Sequence, residues 1–65
     1  MKLSTNKKLD VGYVQLRRGK VHRTLKIRAG ILLDLDQKGQ VLGIELLSLS
    51  KLAPNLKVKN QKRAA

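Results

Sequence analysis

From Val11 to Leu47 apolar and polar residues alternate with period two, in short runs interrupted by glycine, a pattern that builds strands and leaves no room for a long helix. In "VGYVQL" (11–16), Gly12, Val14 and Leu16 share one side, and Val11, Tyr13 and Gln15 the other. "VHRTLKI" (21–27) alternates Val21, Leu25 and Ile27 with His22, Thr24 and Lys26, and Arg23 interrupts its apolar side. "ILLDLD" (31–36) sets Ile31, Leu33 and Leu35 against Leu32, Asp34 and Asp36, and "VLGIELL" (41–47) gathers Leu42, Ile44 and Leu46 on one face. The glycines in "RRGK", "RAG" and "DQKG" punctuate these runs as turns. "KLST" near the start adds a short edge strand. After residue 47 the spacing becomes helical, with Leu46, Leu49, Leu52 or Ala53, and Leu56 recurring and Ser48 available as an N-cap. Pro54 disfavours a helical Ala53, which limits any helix there to about one or two turns. The expected fold is mostly β: a four- to five-stranded antiparallel meander with a short C-terminal helix or turn. It occupies residues 1–53 as a single small domain and leaves 54–65 as a basic flexible tail.

The stretch "LDLDQKGQVLGIEL" (33–46) supports two unlike readings. Asp34, Asp36, Gly39 and Glu45 fall at the first, third, sixth and twelfth places of an EF-hand calcium loop. The fifth place, where an oxygen ligand belongs, is Lys38, and the flanks alternate as strands rather than helices. As a hairpin, Asp36 to Gly39 fits a type I turn, with Asp36 accepting from the turn backbone and Gly39 supplying a positive φ. The hairpin is the expected reading, with Glu45 solvent-facing or paired across strands with a cation.

A 65-residue chain buries only about 60% of its unfolded surface, so its core is thin. Without cysteine there is no disulfide, and without a His/Cys cluster no structural zinc, so association into a homodimer is the remaining way to bury more surface. The opening "MKLSTNKK" is followed by no apolar run, and no stretch approaches the roughly 20 apolar residues of a membrane span. A cytoplasmic protein without a membrane partner is expected.

Charge is the strongest functional signal. Fifteen Lys and Arg stand against four Asp and Glu, a net of +11, which bears on partners and solubility rather than on fold. Arg17, Arg18, Lys20, Arg23, Lys26 and Arg28 fall within one acid-free stretch, and Lys57, Lys59, Lys62 and Arg63 extend the charge into the tail. Alternation puts Lys20, Lys26 and Arg28 on one side of a strand. If the preceding strand pairs with it as a hairpin, Tyr13, Gln15 and Arg17 extend that surface. The candidate anion-binding residues are therefore Arg17, Arg18, Lys20, Lys26, Arg28, Lys57, Lys59, Lys62 and Arg63, for nucleic acid or an acidic protein. Lysine on exposed strands also blocks edge pairing, so the same charge serves solubility. With Tyr13 the only aromatic, base stacking has almost nothing to build on.

Catalytic chemistry has little material. One histidine, His22, and no cysteine cannot form a nucleophilic triad, and no second metal ligand pairs with it. Asp34 and Asp36 share a strand side, but carboxylate-pair chemistry needs a pocket that so small a chain hardly forms. The five glycines lack phosphate-loop spacing. No enzyme activity, cofactor or metal is expected.

Asp10 with Tyr13, Val14 and Leu16, Gly30 opening a strand, the paired Asp34 and Asp36, Gly39, and Gly43-Ile44-Glu45 together resemble the small bacterial family catalogued as domain of unknown function 2283. The resemblance covers about residues 2–52, with "DLDQKGQVLGIEL" its most specific part. It implies a compact mostly-β domain with no established enzymatic activity and, in some members, the small second partner of a two-gene toxin–antitoxin type module. The acid-free "RRGKVHRTLKIR" departs from the acids such members often carry there, which argues against neutralising a basic toxin. Two expectations follow: a non-enzymatic basic module with weak, sequence-tolerant binding to nucleic acid or another polyanion, or a protein-interaction subunit paired with a genetic neighbour.

Overall fold

The computed structural model describes residues 1–55. Five strands form one antiparallel sheet: β1 (Lys2–Asn6), β2 (Val11–Gln15), β3 (Arg23–Arg28), β4 (Ile31–Leu35) and β5 (Val41–Leu47), followed by a one-turn helix, α1 (Leu49–Leu52). The mostly-β class, the five strands and the short helix agree with the alternation. No helix among the described residues is long and apolar enough to cross a membrane. Residues 56–65, with Leu56 and the tail cations Lys57, Lys59, Lys62 and Arg63, lie outside the described residues.

The strand order is β1-β2-β5-β4-β3, so the path departs from hairpin after hairpin at one point. β2 pairs with β5, not with β3. Residues 16–22 instead arch over one end of the sheet. Leu16 N and Arg17 N donate to Leu42 O at 2.8 and 3.1 Å, and His22 N donates to Leu35 O at 2.8 Å. The glycine of "RRGK" therefore closes no hairpin, and Tyr13, Gln15 and Arg17 do not extend a β3 surface. The result is the arrangement of a Greek key, three hairpin-linked strands whose last returns beside an earlier one. Composition explains the choice. The apolar β5 gains a neighbour on each side, whereas the cationic β3 takes an edge, where charge is tolerated and protects against aggregation.

Strand β3 starts at Arg23, so Lys20 and His22 belong to the crossover. Within β3, Lys26 stands opposite Leu32 but Arg28 opposite Ile31, a bulge that resets the alternation. Residues paired directly share a face. Lys26 thus keeps the polar face with Leu32, while Arg28 sides with Ile31, and the shared side expected for Lys20, Lys26 and Arg28 does not form.

One face is apolar. A row of Leu3, Val14, Ile44, Leu33 and Leu25 runs in register across all five strands. Beyond this row, α1 covers one end of the face, with Leu49 over Gly12 and Leu46, and the crossover covers the other, with Gly19 against Leu42. The buried apolar side chains among the described residues are Leu35, Leu42 and Leu49. Each contributes about 1.5–3 kcal/mol, a small total for a domain.

The position of α1 is set from a distance. Ser48 occupies the N-cap position but has φ 51° and no side-chain capping bond. Asp10, itself left-handed at φ 56°, takes over: its carbonyl accepts from Leu49 N at 2.9 Å, and its carboxylate accepts from Ser50 N at 2.9 Å and Ser50 Oγ at 2.7 Å. Asp10→Ala removes this cap and should cost about 0.5–2 kcal/mol by chemical denaturation, with faster amide exchange at Leu49 and Ser50. Unchanged exchange there would show that Asp10 does not hold the helix.

Candidate functional site

The opposite face carries a polar cluster that the strand order assembles. Tyr13 on β2 pairs with Glu45 on β5, Gly43 on β5 pairs with Asp34 on β4, and Asp34 pairs with Thr24 on β3. Asp34 is 4% exposed, and a carboxylate so enclosed requires partners. Thr24 Oγ1 donates to it at 2.8 Å, and the Tyr13 hydroxyl and the Glu45 carboxyl lie close enough for Asp34 to raise the pKa of both. Tyr13 reaches Asp34 by lying across Gly43, where any Cβ would overlap the phenol. The expected cation partner of Glu45 is thereby corrected: its partner is a second carboxyl. Gly43→Ala should push the ring off Asp34 and destabilise by about 1–3 kcal/mol, read by chemical denaturation together with a changed Tyr13 fluorescence. Wild-type stability in that variant would mean that the ring does not occupy the glycine slot.

Two carboxyls in contact cannot both ionise freely. The Glu45 carboxyl is held above the ordinary glutamate range, first by its hydrogen bond with Asp34, then by burial and the Asp34 charge. The Tyr13 phenol is raised as well, chiefly by burial and then by the charge of Asp34. A raised carboxyl means that the folded chain keeps a proton the unfolded chain has lost, so stability falls as pH rises from the ordinary glutamate value of 4.5 toward the folded value. Glu45→Gln should remove this slope. With a like-charge pair on facing strands worth about 0.2–1 kcal/mol, the variant should melt up to roughly 5 °C above wild type at neutral pH. The two melting curves should converge below about pH 4, measured by circular dichroism. Parallel curves at every pH would sink this account.

The hairpin reading of "DQKG" holds. Gly39 N donates to Asp36 O at 3.0 Å, and Asp36 Oδ1 accepts from Lys38 N and Gln40 N, each at 2.9 Å. Gly39 takes φ 81°, which a side chain would strain. These bonds, led by the Gln40 N–H, hold the Asp36 carboxyl below the usual range against a smaller opposing effect of burial. The calcium-like pattern divides into unrelated jobs: Asp36 caps its own turn, and Asp34 and Glu45 belong to the cluster. Among the described residues no three His, Asp or Glu side chains come together as a metal set.

The candidate cations follow a line rather than fill a face. Arg17, Arg18 and Lys20 lie on the crossover, and Arg23, Lys26 and Arg28 continue down edge strand β3; all six are exposed. The Arg17 guanidinium donates to the Gln40 side chain, and its charge helps to lower the Asp36 pKa, so it is partly committed to the turn. Arg17 and Arg18 also border a shallow depression with Met1, Lys2, Gln15 and Leu16. Sequence reasoning missed the carboxyl–tyrosine cluster. Tyr13, Asp34, Gly43 and Glu45 all stood on polar sides of their strands; the β4–β5 hairpin brings the last three together, and only the β2–β5 pairing adds Tyr13.

These features define a small one-sheet β protein with a polar cluster on one face and an incompletely covered apolar face behind it. The family described as "Protein of unknown function (DUF2283)" matches residues 6–50, and the chain belongs to it. The matched segment takes in both Asp10 and Ser50 and every member of the polar cluster. No curated protein and no solved structure matches the chain.

Proposed function

We propose that the protein is a non-enzymatic module that binds polyanions, nucleic acid first among them, along its cationic edge. One observation carries this reading. The six cations of residues 17–28 are all exposed, and each of the four carboxylates already has a partner within the fold. Asp10 accepts from Ser50, Asp34 from Thr24, Asp36 from its turn backbone, and Glu45 is bonded to Asp34. Only Arg17 is drawn toward one of them. A line of charge suits a phosphate backbone better than it suits base edges, because no recognition helix or aromatic platform accompanies it.

Neutralising each phosphate of a duplex adds about 0.9 to the slope of log K against log salt, so four contacts should give a slope of roughly −4. Binding should be sequence-tolerant and in the micromolar range or weaker at physiological salt. Replacing Arg18, Lys20, Lys26 and Arg28 with Gln should lower affinity uniformly across sequences and flatten the slope. Replacing Lys57, Lys59, Lys62 and Arg63 instead separates the tail from the edge. Fluorescence anisotropy with labelled duplexes reads both. An absence of binding at about 50 mM salt, where this electrostatic attraction is near its strongest, overturns the proposal and leaves the charge as a solubility device.

A further inference from the structure

The line of cations on the crossover and β3 gains one more member at the far edge of the sheet. In the β1–β2 register Lys2 stands opposite Gln15, which brings Lys2 beside Arg17 and Arg18, where the crossover begins. These three cations and Gln15 line one depression of about 260 Å³, with Met1 and Leu16 as its apolar wall. We propose that this depression binds the terminal phosphate monoester of a nucleic-acid strand, with Lys2, Arg17 and Arg18 as cationic ligands and the Gln15 amide as a neutral donor. The inference rests on the polyanion reading and deepens it: the crossover and β3 hold the backbone, and the depression holds the end of the strand.

Three observations favour a terminal phosphate over one inside a strand. The first is charge. Three cations converge on the depression and no carboxylate lines it. A monoester carries about −1.5 to −2 at neutral pH and presents three strong acceptor oxygens, whereas a phosphate within the backbone carries a single charge. Arg17 donates to the Gln40 side chain through one nitrogen only, and a guanidinium has further N–H donors to offer. The second is size. Pockets that enclose a whole ligand run from about 300 to 1,000 Å³, so a depression of about 260 Å³ suits a head group with the rest of the molecule outside it. The third is position. The crossover leads from β2 to β3, the outer strand on one side, and Lys2 stands on β1, the outer strand on the other, so the depression ends the line. Its donors also start from a fixed backbone. Leu16 N and Arg17 N both donate to Leu42 O, and Lys2 is held in the ladder with β2, which limits the ordering that binding would require.

The test is fluorescence anisotropy of the full chain with one internally labelled short duplex in three forms: without end phosphates, 5′-phosphorylated and 3′-phosphorylated. At least one phosphorylated form should bind about three- to tenfold tighter than the unphosphorylated one, the range expected of a few exposed ion pairs. Lys2→Gln should abolish that preference and leave affinity for the unphosphorylated duplex within about twofold, because Lys2 lies past the backbone contacts. Lys26→Gln on β3 should weaken all three forms alike and keep the preference. Both positions are exposed, so neither variant should disturb folding. In NMR titrations a nucleoside 5′-monophosphate should shift the side-chain signals of Lys2, Arg17 and Arg18, and the bare nucleoside should not. Equal affinity for the three duplexes overturns this inference and leaves the polyanion reading standing, and a preference that survives Lys2→Gln overturns it as well. Inorganic phosphate that moves the same signals as strongly as the monophosphate would make the free ion the ligand and overturn the strand-end assignment. Absence of binding to every duplex removes the polyanion reading and this inference with it.

Discussion

The β2–β5 ladder is the contact on which the rest of this molecule depends. Every other strand pairing is between sequence neighbours, so hairpins alone would give a β1–β2 unit and a separate β3–β4–β5 meander. Joining them requires the chain to close a long loop, an entropic cost that local turns do not carry. Val14 set against Ile44 on one face, and Tyr13 against Glu45 on the other, are what this closure gains. Gly43 serves both sides of the ladder. By lacking a side chain it lets Tyr13 cross β5 and reach Asp34, so the phenol ties β2 to β4 over the strand between them. Asp10 at the start of β2 then holds α1 just after β5, which locks the same two strands at the end of the sheet.

Two layers of cover are the usual answer to a sheet with an apolar face. Here the second layer is one helical turn and one crossover, and the buried leucines are Leu49 of the turn and Leu35 and Leu42 of the sheet. Much of the order in this sheet must therefore come from its polar face, where four strands are cross-linked through Asp34. Thr24, Tyr13 and Glu45 converge on that one carboxylate from β3, β2 and β5. A buried charge so satisfied specifies register more than it stabilises, because a slip by one residue would turn Asp34 into the apolar row and strand it without partners.

What the sequence made legible was local. Period two marked the strands from Val11 to Leu47 to within a residue or two, and Asp36 with Gly39 identified the type I turn, because both signals depend on neighbours along the chain. Non-local decisions were hidden. "RRGK" announces a change of direction but not which strand comes next, so the crossover read as a hairpin. The bulge between Lys26 and Arg28 leaves no mark in the alternation, and it separated two cations that pattern reading had grouped. Ser48 looked like a cap, but the residue that caps α1 is Asp10, far back in the chain. Glu45 looked like a surface acid because a polar side of a strand ordinarily faces water. Its partner Asp34 lies on the hairpin strand next to it, and what alternation hides is that two acids on that side turn toward each other.

Carboxyl placement also changes the meaning of the net charge. The formal +11 counts four acids as free anions distributed over the surface. Asp34 is enclosed, and Glu45 retains its proton to higher pH than an ordinary glutamate, so the pair screens outside cations less than two exposed carboxylates would. Asp36 stays ionised to unusually low pH, but the nearest backbone N–H groups and Arg17 absorb its field. Six of the fifteen cations lie along the crossover and β3. Such a concentration of charge raises the encounter rate with polyanions and opposes both compactness and self-association. The apolar row, half-buried between α1 and the crossover, lies on the face away from Lys2 and Lys26. The thin core and the high charge thus pose one physical problem, a small chain that must bury aliphatic surface without bringing its cations together, and the separation of an apolar face from a cationic edge addresses both halves of it.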